Sequence, residues 1–262
     1  MKKAINLYFS SNDTTEKIIA IKNAGYDGIM LGFDTSKENL DIPPQVKLCN
    51  DLGLEISMIH CRYETEKLNS IWENGKEGDD VINDYILQVE QAKDFKIKNF
   101  VIHASGSAYA KNAKIGLNRL KILLKTCEKY NINLCVENLY SAENINFILK
   151  NISSKNLKFC FDTGHNNYFS PKSKLIINHK DVINTCHIHD NHGTADEHLI
   201  LGLGTINQEK LGRGFALCNL EFLTAEIKFK NQVFSSENIK SILKQNLDVL
   251  NALDKKIEQF KS

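Results

Sequence analysis

Eight times along the chain, a short apolar run rich in β-branched and aromatic residues gives way to a segment with helical periodicity. Strands are predicted at residues 4–9, 28–33, 55–60, 99–104, 133–139, 157–162, 182–190 and 217–227. Helices are predicted at 14–24, near 43–53, and at 79–95, 115–130, 143–150, 174–179, 206–211 and 237–260. Nearly continuous apolar strands are typical of a parallel sheet covered on both faces. The pattern therefore predicts the α/β class, as a single (β/α)8 TIM barrel that forms one domain over residues 1–262.

Composition narrows the classes of function. A net charge of +1 gives no electrostatic case for binding nucleic acid or a membrane surface. The first residues lack the apolar region of a signal peptide, and no apolar run is long enough to span a bilayer. The seven cysteines include no Cys-x-x-Cys pair, and the odd count favours reduced thiols. These features predict a cytoplasmic protein with no membrane partner.

Active-site residues of such barrels lie at the carboxyl ends of the strands or just beyond them. From strand three to strand eight, these positions hold only histidines and carboxylates, and the loop after strand seven adds two more. The set is His60, His103, Glu137, Asp162, His165, His187, Glu226, Asp196 and His198. Singly, each is explained by a helix cap or a hydrogen-bonded core histidine. Six consecutive strand ends with ligands suited to zinc, manganese or cobalt predict a metal site at the barrel mouth.

Histidines are densest in residues 185–198, which hold four of the eight in the chain. His187 ends the predicted strand and is expected to face the mouth. His189 is expected to point away from the mouth by strand alternation, and His192 to be an incidental loop residue. Asp196 and His198 would reach back from the loop toward His165.

Several short motifs carry a resemblance to a known family over essentially the whole chain. They are Ile59-His60, Ile102-His103, Val136-Glu137-Asn138, Asp162-Thr-Gly-His165, His187-Ile-His-Asp190, Asp196-Glu-His198 followed by Gly202-Leu-Gly204, and Ala225-Glu226-Ile227. The chain resembles the xylose isomerase-like barrels. That family includes sugar-phosphate isomerases and epimerases and the trinuclear-zinc apurinic/apyrimidinic endonucleases.

The resemblance implies a shared metal centre formed by Glu137, Asp162, His187 and Glu226. In the epimerase branch this centre holds one manganese, cobalt or magnesium ion, and the two glutamates double as catalytic acid and base. In the endonuclease branch, two further groups each complete a zinc site. His60 and His103 would join Glu137, while His165, Asp196 and His198 would hold the third ion.

Basic residues help to choose between the branches. Nucleases gain affinity from lysine and arginine on phosphates, yet arginine occurs only at Arg62, Arg119 and Arg213, and Arg119 is expected to be solvated. The loops at 10–15 and 34–39 show no basic cluster or aromatic wedge. We therefore expect a metal-dependent sugar isomerase or epimerase that transfers protons through an enediolate. The alternatives are a trinuclear-zinc endonuclease acting on abasic DNA and a non-catalytic metal- or ligand-binding barrel.

Candidate substrate contacts follow from this expectation. His60, His103 and His165 would bind substrate oxygens where they do not hold metal. Trp72 could close over a sugar together with Tyr63, or simply pack its loop onto the barrel. Arg213, between two glycines, could bind a phosphate or form a plain tight turn. The expected partner is a small sugar or sugar phosphate, and a homodimer is expected because such barrels often pair through their helices.

Overall fold

Eight parallel strands close into a barrel in the computed structural model, which describes residues 1–33, 42–108, 111–229 and 232–261. Each strand pairs with the next along the chain, and β1 pairs with β8. The strands are β1 (Lys2–Asn6), β2 (Gly28–Gly32), β3 (Glu55–His60), β4 (Asn99–Ile102), β5 (Asn133–Glu137), β6 (Leu157–Asp162), β7 (Ile183–Ile188) and β8 (Phe222–Ala225). The predicted α/β class and the (β/α)8 barrel are confirmed.

Helices surround the barrel. They are α1 (Thr14–Ala24), α2 (Ile42–Asp51), α3 (Lys76–Ala92), α4 (Lys114–Lys129), α5 (Ala142–Asn151), α6 (Thr163–Phe169), α7 (Leu175–His179), α8 (Gln208–Phe215) and α9 (Ser236–Lys261). Helices α1, α5, α6 and α8 begin with a side-chain cap. The Asp13 carboxylate accepts the first backbone N–H groups of α1, and Gly25 ends that helix in the left-handed conformation at φ 94°.

The barrel interior is filled by a small apolar cluster that determines where the polar side chains lie. Its members are Met30, Met58, Val101, Cys135 and Cys160. Residues two apart on a strand share a face, so the residue two positions after each of the last four also points inward, at the mouth. Those residues are His60, His103, Glu137 and Asp162, which explains why the strand-end prediction selects a converging set.

Some predicted elements differ from the observed ones. Residues 163–169 form α6, which the sequence did not predict, because Gly164, Asn166 and Asn167 have low helix propensity. The Asp162 side chain compensates by capping this helix. The segment 34–39, in which the sequence shows no basic cluster or aromatic wedge, lies outside the described residues.

Two further sequence predictions concern membranes and thiols. Over the described ranges, the helices are too short or too polar to cross a membrane. All seven cysteines are buried and free, as expected for reduced thiols. The cytoplasmic location and the homodimer stay predictions.

Candidate metal centre at the barrel mouth

The carboxyl ends of the strands surround a cavity of about 850 Å³. Seven of the nine predicted strand-end and loop residues line it: His60, His103, Glu137, His165, Asp196, His198 and Glu226. The other two, Asp162 and His187, are fully buried beside these residues. The barrel therefore brings all nine predicted side chains to one mouth.

Four of these residues form what we call the central group: Glu137, Asp162, His187 and Glu226. The Nδ1 atom of His187 lies 3.1 Å from Glu226 Oε2, 3.3 Å from Glu137 Oε2 and 3.6 Å from Asp162 Oδ2. Despite these distances, Nδ1 forms no hydrogen bond, because no oxygen lies along the direction of a ring N–H. Atoms that share an ion at about 2.1 Å lie about 3.0–3.5 Å apart and point at the ion instead of at each other. The central group therefore fits a divalent cation.

Two more histidines, His60 and His103, approach the Glu137 carboxylate. The Nε2 atoms of His60 and His103 each lie 3.2 Å from Glu137 Oε2. The other ring nitrogen of His60 contacts the Cys61 carbonyl at 2.8 Å, which fixes the ring orientation. The Nδ1 atom of His103 is buried without a hydrogen-bond partner. His60, Glu137 and His187 thus form a second arrangement of donors suited to an ion.

A second group lies beside the central one and consists of His165, His189, Asp196 and His198. Asp196 Oδ2 lies 3.4 Å from His165 Nε2 and 3.1 Å from His198 Nε2. The opposite nitrogens contact backbone carbonyls at 3.0 Å, of Asn138 for His165 and of Glu226 for His198. Both rings are therefore oriented with Nε2 toward the shared carboxylate.

His189 is the site residue that the sequence analysis missed. It is fully buried, its Nε2 lies 3.0 Å from Asp162 Oδ1, and its ring stacks on His198 at 4.0 Å. The expectation that it points away from the mouth was wrong, because it stands two positions after His187 and so shares its face. The His-x-His spacing was the available signal. His192, by contrast, is exposed and pairs with Glu197.

The loop after β7 is held in shape by Asp190, which is fully buried. Its carboxylate accepts backbone N–H groups of Asn191 at 2.9 Å, Gly202 at 2.8 Å and Ile206 at 3.1 Å. Its backbone also pairs in both directions with Leu199. One side chain thus closes the loop that presents Asp196 and His198.

The electrostatics of the site favour ionised carboxylates. Burial alone would raise the pKa of Glu137, but His187 and His103 outweigh it and hold that pKa well below its ordinary value. Burial likewise opposes a fall in the pKa of Glu226, yet His187 and His198 lower it to about 2. Burial would lower the pKa of His198, but Asp196 and Glu226 raise it to about 9. A bound cation would replace the protons that the imidazoles carry in its absence.

Two predicted substrate contacts are wrong. Trp72 is buried, donates its indole N–H to the Ala104 carbonyl at 2.6 Å, and does not line the cavity, because the 3-10 helix Thr65–Trp72 turns it toward the core. Arg213 lies on α8, where it is exposed and pairs with Glu209. Neither a tight turn nor a phosphate loop forms there, since both flanking glycines are helical. Tyr63, the other aromatic residue of the predicted lid, does line the cavity.

Arg119 also differs from expectation. It is buried instead of solvated, and its guanidinium donates to the carbonyls of Ser70, Ile71, Glu73 and Gly75. It forms an ion pair with Asp79 at 2.8 Å as well. This arginine therefore secures the segment between β3 and α3 and is not available to a ligand. The third arginine, Arg62, pairs with Asp84.

Comparison with known proteins finds similar sequences and similar folds. The uncharacterised protein MJ1311 of Methanocaldococcus jannaschii is 30% identical over 154 residues, which are 53% of this chain and 52% of that protein. The chain thus matches about half the length of that relative.

Two solved structures match over nearly their full lengths. A D-tagatose 3-epimerase-like protein superposes with a TM-score of 0.75 at 23% identity, covering 96% of this chain and 99% of the other. The D-psicose 3-epimerase of Clostridium cellulolyticum H10, solved with D-tagatose, gives a TM-score of 0.75 at 14% identity and covers 100% of both chains. At these identities the likeness is one of fold.

The model of one protein family, described as the xylose isomerase-like TIM barrel, matches residues 18–253. That match spans the strands from β2 to β8 and includes all nine predicted site residues. With the closed barrel and its converging donors, it establishes the family. The chain belongs to the xylose isomerase-like TIM barrel family.

Proposed function

We propose that this protein is a metal-dependent isomerase or epimerase that acts on a small sugar or sugar phosphate by proton transfer. The observation that carries the proposal is the placement of Glu137 and Glu226, whose carboxylates approach the same His187 nitrogen beside the cavity. The two solved structures of like fold, a D-tagatose 3-epimerase-like protein and a D-psicose 3-epimerase, support it. A manganese, cobalt, magnesium or zinc ion held by the central group would polarise a substrate carbonyl and so acidify the neighbouring C–H.

The two glutamates would perform the proton transfers. Glu137 ends β5 and Glu226 directly follows β8, so they approach the cavity from different sides of the barrel. If one carboxylate removes a proton and the other returns one to the enediolate, the carbon is inverted. If the same carboxylate returns the proton to the neighbouring carbon, the carbonyl moves instead. General acid–base catalysis contributes typically about 10²–10⁴-fold in rate, so polarisation and positioning must supply the rest.

Substrate orientation would fall to the polar and aromatic lining. His60, His103 and His165 present ring nitrogens near Glu137 and would hydrogen-bond substrate hydroxyls. Tyr63, whose ring lies 4.2 Å from that of His103, offers an apolar face beside them. A cavity of about 850 Å³ is within the range usual for small-molecule sites.

The second candidate is a trinuclear-zinc endonuclease, and the second group favours it, because it supplies donors for a further ion. The basic side chains that line the cavity argue against this candidate. Lys17 is buried and donates to the carbonyls of Leu7 and Ser10, and Arg62 is paired with Asp84. Of the basic residues described in the lining, that leaves Lys228 to meet a phosphate backbone.

One experiment separates these candidates. Purified protein would be analysed for metal content, reconstituted with manganese or cobalt, and incubated with a panel of ketoses and their phosphates in D₂O. We expect about one exchangeable ion per chain and deuterium incorporation next to the carbonyl. Three tightly held zinc ions with nicking of abasic DNA would establish the endonuclease instead. Bound metal without exchange or nicking would leave the non-catalytic barrel.

A further inference from the structure

The ring nitrogen of His187 that faces away from the cavity contacts a thioether. Its Nε2 lies 3.3 Å from the sulfur of Met58, and both residues are buried in the barrel interior. A thioether sulfur accepts hydrogen bonds and cannot donate them. The Nε2 atom must therefore be the nitrogen that carries a proton whenever this contact is made.

Two other histidines of the mouth are oriented the opposite way. In His60 and His198, Nδ1 contacts a backbone carbonyl and Nε2 faces a carboxylate of the site. His165 is mixed, because its Nδ1 lies 3.0 Å from the Asn138 carbonyl and 2.9 Å from Glu137 Oε1. In His187 it is Nδ1 that faces the carboxylates. His60, His198 and His187 thus each have an acceptor on the side away from the carboxylates, and among these three that acceptor is a side chain only in His187.

We infer that Met58 is a positioning residue for the central group. Its thioether accepts the Nε2–H of His187, so that Nδ1 is the nitrogen that faces the three carboxylates and would bind the ion. Partners of this kind set which nitrogen of a histidine binds a metal and hold the ring in place. The inference rests on the proposed role of the central group in holding a metal.

Two neighbouring residues, Cys160 and Met30, do not take the place of Met58 in this contact. Cys160 borders the same ring, but a thiol is both a weak donor and a weak acceptor and so does not dictate where the proton lies. Met30 belongs to the same interior cluster and is equally buried, yet the sulfur that contacts His187 is that of Met58. Met30 therefore provides a matched control for the loss of a thioether.

The test uses the full chain with Met58→Leu, Met58→Gln and Met30→Leu. Zinc and cadmium affinities would be measured by competition with a chelator. In ¹⁵N-histidine-labelled protein, NMR would follow the Nε2–H proton of His187, assigned with a His187→Asn variant. We expect Met58→Leu to lower metal affinity about tenfold and to lose the protected Nε2–H signal. Met58→Gln, whose amide oxygen accepts, should recover most of the affinity although it unfolds at a lower temperature than Met58→Leu.

The order of metal affinity among the variants distinguishes a positioning role of Met58 from a packing role. A purely packing role predicts that leucine, with a volume close to that of methionine, binds metal better than glutamine. That order, or equal affinities for Met58→Leu and Met30→Leu, would overturn the inference. A wild-type protein that binds no divalent ion would defeat the proposed function instead. In that case the exchange of the Nε2–H proton with water in the metal-free protein, slow in Met30→Leu and fast in Met58→Leu, would still test the contact with Met58.

Discussion

The backbone carbonyl of Glu226 accepts the Nδ1–H of His198 at 3.0 Å, while the Glu226 side chain lies 3.1 Å from His187. A single residue thus belongs to the central group through its carboxylate and orients the second group through its backbone. The two sets of donors are therefore mechanically connected, so that a shift of the chain after β8 would disturb both.

Neutralising either glutamate of the central group should nearly abolish turnover. Glu137→Gln and Glu226→Gln each remove a metal-binding charge and a proton carrier, so we expect losses of at least about 10²–10⁴-fold in kcat with the substrate that the D₂O panel identifies. Glu197→Gln, on the same loop as His198 but paired with the exposed His192, is the control and should remain within about twofold. A Glu137 or Glu226 variant that turns over at a near-normal rate would remove that residue from the mechanism.

The metal-free protein should lose stability as the pH rises from about 6.5 to about 9. The pKa of His198 is raised to about 9 in the folded protein, by Asp196 and Glu226 acting against burial. In this window the folded protein binds more protons than the unfolded chain, so the free energy of unfolding falls with increasing pH. The measurement is chemical denaturation across this range in the presence of a chelator. The pKa values of His60, His165 and His187 are raised as well and add to the slope.

Asp196→Asn supplies the control for that titration. It removes the charge that lies closest to His198, so we expect a shallower fall of stability with pH while the protein stays folded near pH 6. An unchanged slope would show that Asp196 does not support the charged imidazole.

Arg119 and Arg213 should differ sharply in their contribution to stability. Arg119→Ala leaves four backbone carbonyls and Asp79 without their partner, and we expect a loss of about 3 kcal/mol or more in the free energy of unfolding. Arg213→Ala removes an exposed ion pair and a ring contact with Phe260, with an expected loss below about 1 kcal/mol. Similar losses in urea denaturation would contradict the structural role given to Arg119.

Trp72 and Tyr63, the two aromatic residues that follow β3, should differ in whether their replacement affects stability or KM. Trp72→Phe leaves the Ala104 carbonyl unpaired and should cost about 1–3 kcal/mol in stability with little change in KM. Tyr63→Ala exposes the side of the cavity next to His103 and should raise KM for the substrate, with a smaller effect on stability. If Trp72→Phe raised KM more than Tyr63→Ala, the sequence-based assignment of Trp72 as a substrate contact would be restored.

The sequence was informative wherever strand geometry alone determines position. His60, Glu137 and Asp162 stand at strand ends on the inward face, so the barrel assignment was enough to predict that they meet. His189 was predictable by the same rule, and the error lay in applying it.

Loop residues were less predictable because their positions depend on the path of the chain. Trp72 lies in the β3–α3 segment and Arg119 contacts that segment from α4, and no periodicity in the sequence indicated its 3-10 helix. Arg213 was misplaced because its flanking glycines suggested a turn where the chain is helical. The family resemblance implied that Asp196 would hold a metal ion. The closure of its loop by Asp190, by contrast, is visible only in the folded structure.

The loop tied by Asp190 has an evolutionary consequence. Asp196 and His198, two of the four residues of the second group, lie on one loop that Asp190 closes. The residues of the central group lie on the strands or directly after them. If the mouth holds metal as proposed, exchanging that loop would change how many ions it accommodates and leave the barrel intact. A descendant with a different loop could therefore bind one metal ion more or fewer while it keeps the same central carboxylates.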